Sequence, residues 1–254
     1  MSLSREQMLV EMGISPLWVL RDKAVAEPAG PDVEENTAAP PVADVRQTVA
    51  PTIQAPMPIA AVDGANWPEL ARQVAECKAC GLCQQRKQAV LGVGDLNPDW
   101  LFIGEGPGAE EDLKGEPFVG QAGKLLDNML AALDIARGNK VYIANAVKCR
   151  PPGNRTPEAS EMAACRPYLE RQIALLKPKV IVLLGKAAVH TILHDDKSLS
   201  ALRGQPFEYA GIPVVVTYHP AYLLRNLPEK AKAWEDLLLA RKVLRQQAAP
   251  ELPL

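Results

Sequence analysis

Residues 67–245 predict an α/β fold, with one parallel sheet covered by helices on both faces. Three observations predict it. Four short apolar runs, at 100–103, 141–147, 180–184 and 214–217, are bounded by turn residues, as strands buried on both sides are. Helical patterns fall between them at 122–133, 158–176 and 186–193, and another at 228–245 closes the set. Strand and helix repeated in this order argue for parallel strands joined by crossover helices.

The chain begins differently. Residues 2–22 read as a short amphipathic helix: Ser4 can cap it, and Met8, Leu9, Met12, Ile14, Leu17, Trp18 and Leu20 recur at roughly helical spacing. Residues 24–63 are rich in Ala, Pro and Val with few aromatics, so they bury too little surface to offset their ordering entropy. The expected organisation is an N-terminal peptide (1–23), a Pro/Ala-rich linker (24–63), one domain (64–246) and a loose tail (247–254). The alternative for the peptide is a helix that folds back on the domain.

A helix over about 67–76 leads into the first cysteines, and the strand at 100–103 runs into GEGPGAEEDLKGEPFVGQAG, residues 104–123. Gly-Glu-Gly-Pro-Gly cannot continue a strand, because glycine admits turn geometries and proline withdraws a ladder donor. A loop results at the carboxyl end of a strand, where open α/β sheets hold their ligands. It carries Glu105, Glu110, Glu111, Asp112 and Glu116, then Phe118 behind Pro117, then Gly120 and Gly123 opening a helix. It is not a nucleotide fingerprint, and its acids would repel a bound phosphate.

Composition sets limits. The 254 residues are 48% hydrophobic, enough for a sizeable core. With a net charge of −2 and a pI near 6.0, a nucleic-acid binder would have to gather its basic residues on one face. No run of about 18 apolar residues exists, so no membrane span is expected. The N-terminus lacks the apolar core of a signal peptide, which points to the cytoplasm and to cysteines that are thiols or metal ligands.

There are five cysteines. Cys77-x-x-Cys80 is a compact pair at a helix end; Cys149 lies just past a strand and Cys165 on the following helix. Four thiolates so arranged suit tetrahedral zinc or a [4Fe–4S] cluster, and spacing does not separate the two. Cys83 is a weaker fifth candidate. Separate buried thiols, or a redox pair at Cys77 and Cys80, are the remaining readings.

His219, after the last strand in TYHPAYLLR, falls at the same sheet edge as the Gly104–Gly108 stretch and can donate to an oxygen that gains charge. Asn145, near the end of the second strand in YIANAVKC, offers both a donor and an acceptor to a base edge. Phe118 adds a flat apolar face. With Glu105 they make a pocket for a planar, hydrogen-bonding ring.

GEGPGAEEDLKGEPFVGQAG, YIANAVKCRPPGNRTP, CRPYL and YHPAYLLR together resemble the family 4 uracil-DNA glycosylases, the iron–sulfur branch of that superfamily, over residues 67–245. The resemblance implies a three-layer α/β/α fold around a four-stranded parallel sheet. It implies a [4Fe–4S] cluster on Cys77, Cys80, Cys149 and Cys165, acting as a structural staple, with Cys83 outside the set. It implies hydrolytic excision of uracil from double- or single-stranded DNA at the start of base excision repair, by a monomer.

The implied roles follow residue by residue. Phe118 stacks on the flipped base, Asn145 reads its edge, and His219 stabilises charge on the departing uracil. Family 1 enzymes hold a water-positioning aspartate where this chain has Gly106, so that role passes to Glu105, to Glu111 or to substrate phosphates. Asn154 braces Glu111, and Leu224 and Arg225 enter the duplex. The KRRIH insertion of the covalent-histidine branch is missing. Residues 251–254 loosely resemble clamp-binding peptides, so a sliding clamp is a candidate partner. Two other readings are a non-catalytic iron–sulfur DNA-binding module and an unrelated zinc protein.

Overall fold

The computed structural model describes residues 60–248. The expected N-terminal peptide, the linker up to residue 59 and the tail from residue 249 lie outside the described residues. At the end of the stretch expected as linker, α1 (Ala60–Asp63) is a single helical turn, and Val62 is buried.

The next helix, α2 (Trp67–Glu76), is capped by Asn66, whose side chain accepts from the Glu69 amide at 3.0 Å. It buries Leu70 and Val74 and ends at Cys77. The sheet strands are β1 (Val93–Gly94), β2 (Trp100–Gly104), β3 (Val141–Asn145), β4 (Val180–Leu184), β5 (Phe207–Tyr209) and β6 (Ile212–Thr217). Their order is β1-β3-β2-β4-β6-β5. The four central strands are parallel, as expected. Two antiparallel edge strands, β1 and β5, make it a mixed sheet of six.

Alternation decides the layers. Leu101, Ile103, Tyr142, Ala144, Ile181, Leu183, Val214 and Val216 face one side, packed on α5 (Ala159–Leu176) and α6 (Lys186–Leu193). Their sequence neighbours Trp100, Phe102, Val141, Ile143, Val180, Val182 and Val215 face the other, packed on α4 (Gln121–Ala131) and α9 (Glu229–Ala248). The sheet therefore sits between two helical layers.

From β2 the chain moves to β3 on one side, then crosses to β4 on the other. The carboxyl ends of β2 and its neighbours thus frame the topological switch point, where such sheets open a cleft. Two shorter helices complete the outline, α7 (Leu199–Leu202) and α8 (Pro220–Arg225). The loop expected over 104–123 is not all loop. Its acidic stretch forms α3 (Ala109–Lys114), closed by Gly115 at φ 76°.

Candidate active site and cysteine cavity

A cleft of about 810 Å³ opens at the carboxyl ends of the parallel strands. Its walls include Glu105 and Gly106 after β2, Phe118, Asn145 at the end of β3, and His219 after β6. Five expected site residues from three separate motifs thus meet in one place.

Phe118 is held under constraint. Its φ of 56° is unusual for a bulky residue, and its surroundings enforce it. The Arg137 guanidinium donates to the carbonyls of Pro117 and Phe118 and to Asp127. Gly104 and Gly123 leave room that no side chain would. A Cβ on Gly104 would lie 2.4 Å from the Phe118 ring and 2.5 Å from Asn145 Oδ1, and one on Gly123 would lie 1.8 Å from the Phe118 carbonyl oxygen. The ring stacks on His219, with centroids 5.4 Å apart and planes 30° from parallel.

The two glutamates differ. Glu111 accepts from Gly108 N with Oε2 at 3.0 Å, and from Val119 N and Gly120 N with Oε1 at 2.9 and 3.0 Å. Three backbone donors engage both of its oxygens, so it braces the loop that carries Phe118. Glu105 has no such shell. Burial raises its pKa, against a hydrogen bond from Thr156 that lowers it.

Asn145 is 2% exposed, and its Oδ1 is buried without a hydrogen-bond partner. His219 accepts the Ala221 amide on Nδ1 at 3.1 Å. Burial, then the charge of Arg225, pushes its pKa down to about 4, against an opposing pull from Glu111. The ring is therefore neutral near pH 7, with its proton on Nε2.

The expected Asn154–Glu111 brace is corrected. Asn154 Oδ1 instead accepts from Arg150 Nε at 2.7 Å, and the three amides already occupy Glu111. Arg225 lines the cleft, together with Arg155 and Lys186, while Leu224 stands 42% exposed on the same helix.

All five cysteines line a second cavity, walled by Val74, Leu82, Val147 and Tyr168. Cys83, the weaker fifth candidate, lies in the same wall, because its 3₁₀ turn folds back beside Cys80. Polar hydrogens point at the sulfurs: Arg86 Nη1 to Cys149 at 2.9 Å, Lys148 N to Cys165 at 3.2 Å and Ala79 N to Cys77 at 3.5 Å. Burial pushes the Cys149 thiol up to about 11 and the Cys165 thiol up to about 12, so deprotonation there calls for a positively charged group. Among the described residues, no three Cys, His, Asp or Glu side chains stand together at single-ion spacing.

Residues 91–238 match the model of the uracil DNA glycosylase superfamily. The type-4 uracil-DNA glycosylase of Thermotoga maritima is 42% identical over 182 residues, which cover 70% of this chain and 94% of the relative. That of Archaeoglobus fulgidus is 41% identical over 176 residues, 66% of this chain and 87% of the relative. The chain belongs to the type-4 uracil-DNA glycosylases. A type-5 uracil-DNA glycosylase from Mycobacterium leprae is also similar, at 29% identity over 197 residues, 61% of this chain and 84% of the relative.

For a uracil-DNA glycosylase, the sequence reading left several supporting residues unmarked. Arg137, Thr156, Arg86, Lys148 and Gln172 act through contacts 19 to 81 positions apart or through burial, which spacing along the chain does not show. Of the supporting residues, Gly104 and Gly123 around Phe118, and Glu111, are visible in the sequence.

Proposed function

We propose that this chain hydrolyses the N-glycosidic bond of deoxyuridine in DNA, releasing uracil and beginning base excision repair. The observation that carries the reading is the buried, unpartnered Oδ1 of Asn145 beside the Phe118 ring and the His219 imidazole. An unmade buried hydrogen bond costs about 1–3 kcal/mol, and the N3–H of uracil is the donor that satisfies it. The Asn145 amide group then donates to O4. Cytosine opposes an acceptor to Oδ1 and a donor to the amide, and is rejected.

The target nucleotide must leave the stack, since its glycosidic bond is inaccessible within a duplex. Phe118 supports the flipped ring. His219 donates Nε2–H to O2 of the base as the C1′–N1 bond breaks, so the electron pair leaving with uracil spreads onto a hydrogen-bonded oxygen. A water adds to C1′, and its proton passes to the Glu105 carboxylate. Glu105 suits this role because its oxygens are not engaged by the loop, as those of Glu111 are. Arg155, Lys186 and Arg225 suit substrate phosphates, and Leu224 suits the gap left by the flipped base.

The cysteine cavity fits a [4Fe–4S] cluster on Cys77, Cys80, Cys149 and Cys165. These four residues, placed around one cavity, would hold such a group. When bound it supplies structural bracing. We extend the proposal to a monomer acting in the cytoplasm on double- or single-stranded DNA, with residues 251–254 as a candidate contact to a sliding clamp. Excision from uracil-containing oligonucleotides tests the reading. The wild type should release uracil, and Asn145→Asp should do so far more slowly while admitting some cytosine. Unchanged uracil release by the variant would remove Asn145 from the base pocket.

A further inference from the structure

Lys148 is 1% exposed and lies three residues past Asn145, next to Cys149. Its ammonium donates to the Asn145 backbone carbonyl at 2.9 Å and to Gln172 Oε1 at 2.5 Å. Its own amide donates to Cys165 Sγ at 3.2 Å. Gln172 is also fully buried, two turns along α5 from Cys165, and its amide nitrogen donates to the Leu91 carbonyl at 3.0 Å and lies 3.5 Å from the Tyr142 hydroxyl.

A wholly buried ammonium bonded to neutral oxygens is costly to keep in the core. What the arrangement fixes is specific. Asn145 ends β3, so its carbonyl lies where the ladder stops, while Ala146 N and Val147 N reach across to Gly104 and Glu105. Lys148 grips that carbonyl from the core side while the Asn145 side chain lines the cleft. One buried chain of hydrogen bonds therefore joins the residue placed to read the base with the helix that carries Cys165.

We propose that Lys148 is a positioning residue for base recognition, locking the Asn145 backbone to the Cys165 helix so that the cysteine cavity sets the pose of the reading amide. This rests on the reading of Asn145 given above. The remaining network follows from it: Gln172 aims the ammonium, and Leu91 and Tyr142 hold Gln172.

The test is a double-mutant cycle on the full chain, using single-turnover uracil excision, DNA affinity and iron content per chain. Lys148→Met should slow excision on the order of 10- to 100-fold, the scale of a small misplacement, with DNA affinity and iron content unchanged. In an Asn145→Ala background it should cost nothing further, since its effect passes through that residue. Wild-type excision by Lys148→Met, or the same loss in both backgrounds, would overturn the proposal. Asn145→Ala excising at the wild-type rate would instead sink the reading of Asn145 itself. Should Lys148→Met fail to fold or to retain iron, Gln172→Met keeps the charge and removes the residue that aims it. It should slow excision in the wild-type background only, and wild-type excision by it would equally overturn the proposal.

Discussion

The imidazole of His219 accepts the Ala221 amide on Nδ1 at 3.1 Å, and that bond determines which ring nitrogen carries the proton. With its pKa pushed down to about 4, the ring is a neutral Nε2–H donor across the physiological range. His219 should therefore add no inflection to the excision rate between pH 5 and 8. His219→Ala should lose on the order of 10²–10³ in rate, the usual scale for one oxyanion donor. The sign for stability is set by the depressed value. The unfolded ring takes up a proton as pH falls through 6.5, while the folded ring resists until about 4. Stability is thus fully present above 6.5 and declines toward 4, by at most about 3 kcal/mol from this group. Denaturant unfolding of wild type and His219→Ala at pH 7 and pH 4.5 checks it: the wild type should lose more between the two.

The two glutamates should separate cleanly. Glu111→Gln replaces an acceptor for three backbone amides with a group that is half donor, so it should destabilise by about 1–3 kcal/mol and slow excision through the displaced Phe118. Glu105→Gln should leave unfolding nearly unchanged and remove most of the rate. Because burial raises the Glu105 pKa, the carboxylate is lost at a higher pH than an exposed one would be. The acid limb of the wild-type rate profile should therefore belong to Glu105 and disappear in Glu105→Gln. A stable, fast Glu105→Gln would return the water to some other group.

How much of this was legible beforehand follows element by element. The strands at 100–103 and 180–184 stand out because a strand buried on both faces is continuously apolar. The helix over 67–76 is found where expected, and the structure shows Asn66 capping it with Pro68 in its first turn. The hairpin of β5 and β6 stayed hidden because its two-residue loop, Ala210 at φ 50° and Gly211 at φ 79°, has the left-handed geometry of a tight hairpin without the usual Asn-Gly. The strand expected over 141–147 ends at Asn145, and beyond it the Ala146 and Val147 amides bond the carbonyls of Gly104, the last residue of β2, and Glu105. In the site, Asn145 and His219 were visible as chemistry-bearing residues at or just past strand ends, and Phe118 as the aromatic residue of the loop before a helix. Arg137 and Lys148 were not, because an arginine gripping two carbonyls and a buried lysine look like ordinary surface charges until the chain is folded.

Gly123 offers a steric test. A Cβ there would fall 1.8 Å from the Phe118 carbonyl oxygen, inside a loop already clamped by Arg137. Gly123→Ala should destabilise by several kcal/mol, among the larger single-site effects, because backbone and not a flexible side chain must move. Gly138→Ala, with no atom within 4 Å of the added Cβ but φ at 75°, carries only the cost of strain and should be milder. Thermal unfolding of the two side by side checks the order.

The cysteine cavity makes a sharper test than spacing alone allowed, because Cys83 now shares the wall. Ser at Cys77, Cys80, Cys149 or Cys165 should lower iron content and visible absorption and destabilise the fold, since a structural metal site contributes its binding energy to folding. Cys83→Ser should retain both. Loss of iron in Cys83→Ser with retention in Cys149→Ser would reassign the ligands.

Truncation tests where the working unit begins. Among the described residues, those lining the cleft and the cysteine cavity fall within 74–225, so removal of the tail or the far N-terminus should leave activity on a short substrate intact. The boundary itself is sensitive. Val62 and Ala65 pack in the cluster that contains Cys149 and Cys165, and Arg171 Nε donates to the Ala65 carbonyl at 2.6 Å. A chain of residues 58–248 should excise uracil from a short oligonucleotide as the whole chain does. A chain starting at residue 66 gives up a buried valine, worth about 1.5–3 kcal/mol, and leaves Arg171 without that acceptor. It should unfold at a lower temperature and hold its iron less well. Equal stability of the two truncations would mean that the turn at 60–63 contributes nothing to the cavity wall.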